Sequence, residues 1–166
     1  MPAANRRAIV GFDRVVCDSL PRLYRHPDTY NLFEVMGDPP IRDAKWALSR
    51  FRGHARYVWE VILLVCRDYP NAEVVAWKWL RAEGIRPNGI IVVDDQEVAD
   101  RAIIEHRPLL LIDDFMSGFS RQTPVFLSER YEKFRGEGIM VEVFRNNWRD
   151  IAERYVLEMR RYAQRL

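Results

Sequence analysis

Five short apolar runs, separated by stretches of helix length, constrain this chain more than any other feature of its sequence. They are Ala8 to Phe12, Glu60 to Cys66, Gly89 to Val93, Leu109 to Ile112 and Ile139 to Phe144. Their centres, IVGF, VILLVC, IIVV, LLLI and MVEVF, are continuous rather than alternating. A strand with water on one face alternates polar and apolar residues; one covered on both faces has no reason to, so these runs predict buried strands. Parallel strands need a long crossover between them, and a helix supplies it. The pattern therefore predicts an α/β fold: a doubly wound, mainly parallel five-stranded Rossmann-like sheet.

The intervening segments fit helices. Asn71 is placed to cap one whose apolar positions are Val74, Val75, Trp77 and Leu80, with Gly84 as its stop. Asp95 caps a second, with Val98, Ala102 and Ile103 facing inward and an end near Pro108. A third runs from Ser128 to Arg135, closed by Gly136 and Gly138. The last carries Trp148, Ile151, Tyr155, Met159, Tyr162 and Leu166 as one stripe. Residues 19–58 break the rhythm, with Asp38-Pro39-Pro40 as a breaker and a helix expected from Asp43 to about Arg52. Loops after the carboxyl ends of parallel strands build the ligand crevice, so this segment is expected to be a small helical cap-like insertion. It would lie within one domain spanning residues 1–166.

Composition excludes several classes. At 48% hydrophobic and 12% aromatic the chain can bury a core, which rules out disorder for most of its length. No run approaches the roughly 18 apolar residues of a membrane span, and the polar start, Met1 to Arg7, lacks the core of a secretory leader. A soluble, cytoplasmic protein without membrane contact is expected. Net charge is +2, from 26 basic and 24 acidic residues, so no global field demands nucleic acid. Cys17 and Cys66 are too few for a disulfide framework or a zinc site of their own, and are expected to be reduced and largely buried. No histidine is obviously adjacent to lower either thiol pKa. His26, His54 and His106 are scattered and form no metal-ligand pattern.

The strand ends are most informative when taken together. The first leads into IVGFDRVVCDS (Ile9 to Ser19), the second ends VILLVCRDYP (Val61 to Pro70), and the fourth ends LLLIDDF (Leu109 to Phe115). In this order, with the insertion after the first strand, the chain from about Ala8 to Trp148 resembles the haloacid dehalogenase (HAD)-like superfamily. Its small nucleotidase-like and polynucleotide phosphatase-like members are the nearest in pattern. The resemblance implies a first strand ending Asp-x-Asp, with the first aspartate as nucleophile and the second as general acid and base. It implies a Thr or Ser and a Lys that hold phosphoryl oxygens, and paired acids after the fourth strand that hold magnesium.

This sequence matches that pattern only in part. Asp13 falls on the second aspartate, and Gly11 falls where the nucleophile should be. The Thr or Ser position falls on Cys66, followed by Arg67, and the Lys position near Glu97 to Arg101 has Arg101 as its nearest cation. Asp113 and Asp114 match the paired acids. The resemblance thus makes Asp13, Asp113 and Asp114 candidate magnesium ligands, Asp13 the catalytic residue if chemistry survives, and Cys66, Arg67 and Arg101 candidate phosphate contacts. A plainer alternative pairs the acids with Arg14, Arg67 or Arg101 in salt bridges.

With nucleophile, hydroxyl and lysine all missing, the expectation is a catalytically inactive HAD-like protein. It would serve as a binding or structural module for a partner protein or a phosphorylated ligand. One alternative is a magnesium-dependent phosphatase acting on nucleotides or polynucleotide ends. Another is a nucleic-acid-binding or virion-type structural protein using Arg42, Trp46, Arg50, Arg52 and Arg56, where cations and aromatics interleave. The insertion or the C-terminal helix could also serve a protein partner or a second copy of the chain.

Overall fold

The computed structural model describes residues 6–25, 35–52, 59–117 and 124–163. In chain order its strands are β1 (Arg7–Gly11), β2 (Glu60–Cys66), β3 (Gly89–Val93), β4 (Leu110–Asp113), β5 (Met116–Ser117), β6 (Val125–Phe126) and β7 (Met140–Val143). The helices are α1 (Leu20–Arg25), α2 (Ala44–Arg52), α3 (Ala72–Glu83), α4 (Gln96–His106), α5 (Ser128–Gly136) and α6 (Trp148–Ala163). Five strands form one sheet in the order β3-β2-β1-β4-β7, every pairing parallel. The doubly wound parallel sheet expected from the apolar runs is therefore present.

Alternate residues of each central strand feed opposite layers. Val10, Leu63 and Ile112 join one apolar cluster with Leu48 and Phe51 of α2, Trp79 of α3 and Trp148 of α6. Ile9, Leu64 and Leu111 join the other with Ala99 and Ile103 of α4 and Phe134 of α5. Cover on both faces explains why the runs are continuous. Each buried side chain of this size stabilises the fold by roughly 1.5–3 kcal/mol. Two of the largest also hold chain segments: Trp148 Nε1 donates to the Val15 carbonyl at 2.7 Å, and Trp79 Nε1 to that of Asp38 at 2.8 Å. The loop after β1 and the approach to α2 are thus pinned to the helix layer above them.

Local signals held with corrections at Asn71 and at Val74, which is exposed on the outer side of α3. Asp95 accepts from the Val98 N–H at 2.8 Å, and Gly84 ends α3 with a left-handed φ of 68°. Asn71 does precede α3, but with φ 65° and no side-chain capping bond, so it serves as a left-handed turn residue, a conformation asparagine tolerates. Helix α1 and the β5–β6 hairpin went unforeseen, being too short to show a period. Along the final helix Trp148, Ile151 and Tyr155 are buried, while Met159, Tyr162 and Leu166 lie outside the described side chains.

Chain order sets the crevice. From β1 the sheet grows outward through β2 and β3, and on β1's other edge through β4 and β7. The order reverses between β1 and β4, and the carboxyl ends of strands at such a switch point are where open α/β sheets bind ligands. Asp13, just past β1, and Asp113 and Asp114, at the end of β4, stand there.

Candidate functional site

Register places the site's first two residues side by side. Val10 pairs with Ile112, so one step on Gly11 faces Asp113. A Cβ on Gly11 would lie 2.6 Å from Asp113 Oδ1 and 3.3 Å from Val15 Cγ2. The Asp113 carboxylate therefore fills the space from which a side chain at position 11 would start. It is held there: Oδ1 accepts from the Asp114 N–H at 3.0 Å, and Oδ2 from Arg130 Nη1. Arg130, on α5, also donates to Asp100 of α4 at 2.7 Å and lies over the rings of Phe115 and Phe134, at 5.1 and 5.3 Å.

The other two acids are held in the same manner. Asp114 takes two bonds from Arg14, at 2.8 and 3.3 Å, and one from the Met116 N–H at 3.1 Å. Arg14 and Phe115 both carry positive φ, 65° and 53°, a conformation uncommon for such residues and one that recurs at functional and switch regions. Asp13 takes a two-pronged bond from Arg67, Nε at 2.9 Å and Nη2 at 2.7 Å. The Arg67 side chain is 0% exposed, donates on to the Tyr69 hydroxyl at 3.0 Å and lies 4.9 Å over the Phe12 ring. Such fork-on-fork pairs are the strongest of the charge-assisted bonds. Each of the three acids thus has its own guanidinium.

Electrostatics follow the pairing. Burial works to raise the Asp13 carboxyl, but Arg67, with Arg14 behind it, holds it below its ordinary value of 3.8. Asp113 goes the other way: burial and the neighbouring Asp114 charge push it up, against the pull of Arg130. Burial opposes the charge of Arg67, yet Asp13 raises its affinity for the proton. The Asp13 pair therefore contributes stability above the unfolded carboxylate value, lost as pH falls through the lower folded one. The ionised form of Asp113 carries the opposite sign, costing stability above its raised value.

Magnesium takes oxygen ligands with free lone pairs and keeps several waters. Here guanidinium N–H groups are aimed at those oxygens, so the residues as arranged do not fit the ion. Among the described residues no group of three or more His, Cys, Asp or Glu is disposed to hold a metal. Of the alternative pairings, those with Arg14 and Arg67 are found; Arg101 is exposed on α4, and the cation at Asp113 comes instead from Arg130. Arg67, engaged by Asp13 and Tyr69, presents no open face to a phosphate. Sequence reasoning missed Arg130. The available signal was its i,i+4 relation to Phe134, the buried residue of α5, which turns it inward. It also missed Arg145, whose Nη1 donates to the carbonyls of Asp114 and Phe144, each at 2.9 Å, bracing the loop after β4.

Cys66 corrects an expectation: it is exposed, because it ends β2 at the crevice where the covering layers stop, while Cys17 is buried. Partial desolvation and the Asp13 charge push the Cys66 thiol up to about 11. A thiol so raised is a weak nucleophile at neutral pH and a poor phosphate contact. Alkylation of Cys66 by iodoacetamide, followed by mass spectrometry, is expected to quicken about tenfold per pH unit between pH 7 and 10. Cys17 is expected to label only on unfolding. Labelling of Cys66 that is fast and flat across neutral pH would contradict this. His106 sits at the other end of β1, its Nδ1 3.5 Å from Arg7 Nη1. Arg42, Trp46 and Arg52 line a side groove, with the Arg50 guanidinium over the Trp46 ring, and Arg56, His26 and His54 lie outside the described residues.

Fold and site together define a doubly wound α/β protein with a crevice of paired acids at its switch point. No protein-family model matches the sequence, and no curated protein matches it. Among solved structures the chain is similar to one in the structure of the Pnkp1/Rnl/Hen1 complex, with a TM-score of 0.59 at 12% identity. The match covers 87% of this chain and 47% of that one, so the chain spans about half the neighbour's length. At that identity the likeness shows the fold.

Proposed function

We propose that this chain is a HAD-like module that has given up phosphotransfer and works by binding. The observation carrying this is that the Asp113 carboxylate occupies the space beside Gly11 while each crevice acid is neutralised by an arginine. Transfer through a phosphoaspartate needs nucleophile, metal and phosphate-holding cation to act as a unit. Gly11 supplies no nucleophile, and Arg67 is already engaged by Asp13 and Tyr69. A phosphorylated ligand entering the crevice would have to draw a guanidinium away from its carboxylate, leaving a buried charge uncompensated. That favours a macromolecular partner outside the crevice over a phosphorylated ligand inside it, with the ion pairs serving to rigidify the sheet end. The similar chain comes from a structure of a complex, which agrees with a partner-binding role. Among the described residues no helix is long and apolar enough to cross a membrane.

The test is turnover. Purified protein with magnesium and a panel of phosphomonoesters, including nucleotides and 5′- and 3′-phosphorylated oligonucleotides, is expected to release no phosphate above the blank. Release abolished by Asp13→Asn would establish the magnesium-dependent phosphatase instead.

A further inference from the structure

A concavity lies away from the crevice. A groove of about 810 Å³ runs between α2 and the C-terminal end of α3, floored by Pro40, Ile41, Leu48 and Ile85. Four cations line it: Arg42, Lys45, Arg52 and Arg86. Lys45 crosses it, its Nζ 2.8 Å from where a Cβ on Gly84 would sit. Asp43 is the one carboxylate lining the groove among the described residues, and Arg149 already holds it with bonds of 3.0 and 3.1 Å. No ion pair to Lys45, Arg81 or Arg86 forms among the described residues. Arg42 reaches the same Asp43 carboxylate at 3.8 Å and Arg52 Nη1 donates to the Arg86 carbonyl, so a chain of net charge +2 sets four cations against one carboxylate in one concave strip.

Aromatic surfaces accompany the charge. The half-buried Trp46 lines the groove, with the Arg50 and Arg149 guanidinium carbons 5.4 and 5.1 Å from its ring centre. A second recess of about 480 Å³ shares Gly84, Ile85 and Arg86 with the first and adds Trp77 and Arg81. Cations in a row with stacking planes between them are what a single nucleic-acid strand uses, phosphates on the cations and bases on the rings and guanidinium planes. An acidic peptide would use the charges and leave the stacking planes idle. We infer that this groove is a docking site for single-stranded nucleic acid. It extends the binding-module reading but uses a surface separate from the crevice.

Fluorescence anisotropy with a fluorescein-labelled single strand of about twelve nucleotides tests it. Saturable binding is expected, weakening with salt at a log–log slope of about −2 to −3, as three or four phosphates at roughly 0.7 each give. Lys45→Glu with Arg86→Glu, both exposed positions, should lower affinity at least tenfold while leaving the circular dichroism and melting temperature unchanged. Absence of binding at low salt, binding indifferent to the double charge reversal, or equal affinity for polyglutamate or duplex would each overturn the assignment. Phosphate release from the panel alongside groove-dependent binding would remove the inert-crevice reading and leave this one standing. No binding and no release would do the reverse.

Discussion

Asp13→Asn is expected to lower the free energy of unfolding by about 3 kcal/mol, the low end of the cost of breaking a buried ion pair. The low end applies because the Asp13 side chain keeps 18% exposure and an asparagine oxygen can still accept one of the two Arg67 bonds. Arg67, at 0% exposure, would keep its charge with no carboxylate beside it. Urea unfolding followed by circular dichroism measures the loss as a lower midpoint at unchanged slope. The sign is the informative part. In an open cluster of three carboxylates awaiting a cation, neutralising one relieves repulsion and raises stability in metal-free buffer; in a set of ion pairs it lowers it. The pH profile gives the same answer from another side. Wild type should lose the contribution of this pair as pH drops below 3.8 through the lowered folded value, and the asparagine variant should lack that component.

The second large effect concerns the missing nucleophile. Gly11→Asp is expected to restore no turnover and to destabilise by about 2–3 kcal/mol, or roughly 4–12 °C in melting temperature for a domain of this size. The new Cβ meets Asp113 Oδ1 at 2.6 Å, so Asp113 must leave Arg130 and the Asp114 N–H, and a further carboxylate joins a site whose charges already balance. Because the closest approach is to the Asp113 side chain, Gly11→Ala should be partly rescued by Asp113→Ala, a non-additivity that thermal melts of the two singles and the double would reveal. Phosphate release by Gly11→Asp would show that the crevice can still rearrange around a nucleophile.

Much of this is legible in the sequence. The continuous runs specify strands covered on both faces, and their spacing specifies crossovers, so Glu60–Cys66 and Gly89–Val93 match the observed strands to the residue. Strand order then brings Asp13 to Asp113 and Asp114. What pairs with those acids was only half legible. Arg14 and Arg67 follow their strands directly, and short range suffices to name them. Arg130 arrives on a helix beyond a hairpin that has no sequence signature, and only tertiary packing sets it against β4. The exposure of Cys66 depends on where the helix layer ends, which strand composition does not encode. Asn71 illustrates a different limit: the residue type fits both a side-chain cap and a left-handed turn, and backbone geometry alone separates them.

Magnesium titration of the wild-type protein, read as melting temperature and as heat in a calorimeter, decides whether the crevice acids are open to a cation. If an arginine holds each crevice acid, about 10 mM magnesium should give neither saturable heat nor a shift beyond that of the same ionic strength of sodium chloride, since an ion that does not bind the native state cannot stabilise it. Stabilisation that grows with the logarithm of magnesium, reaching about 2.7 kcal/mol at a hundredfold excess over Kd and vanishing in Asp113→Asn, would contradict the account.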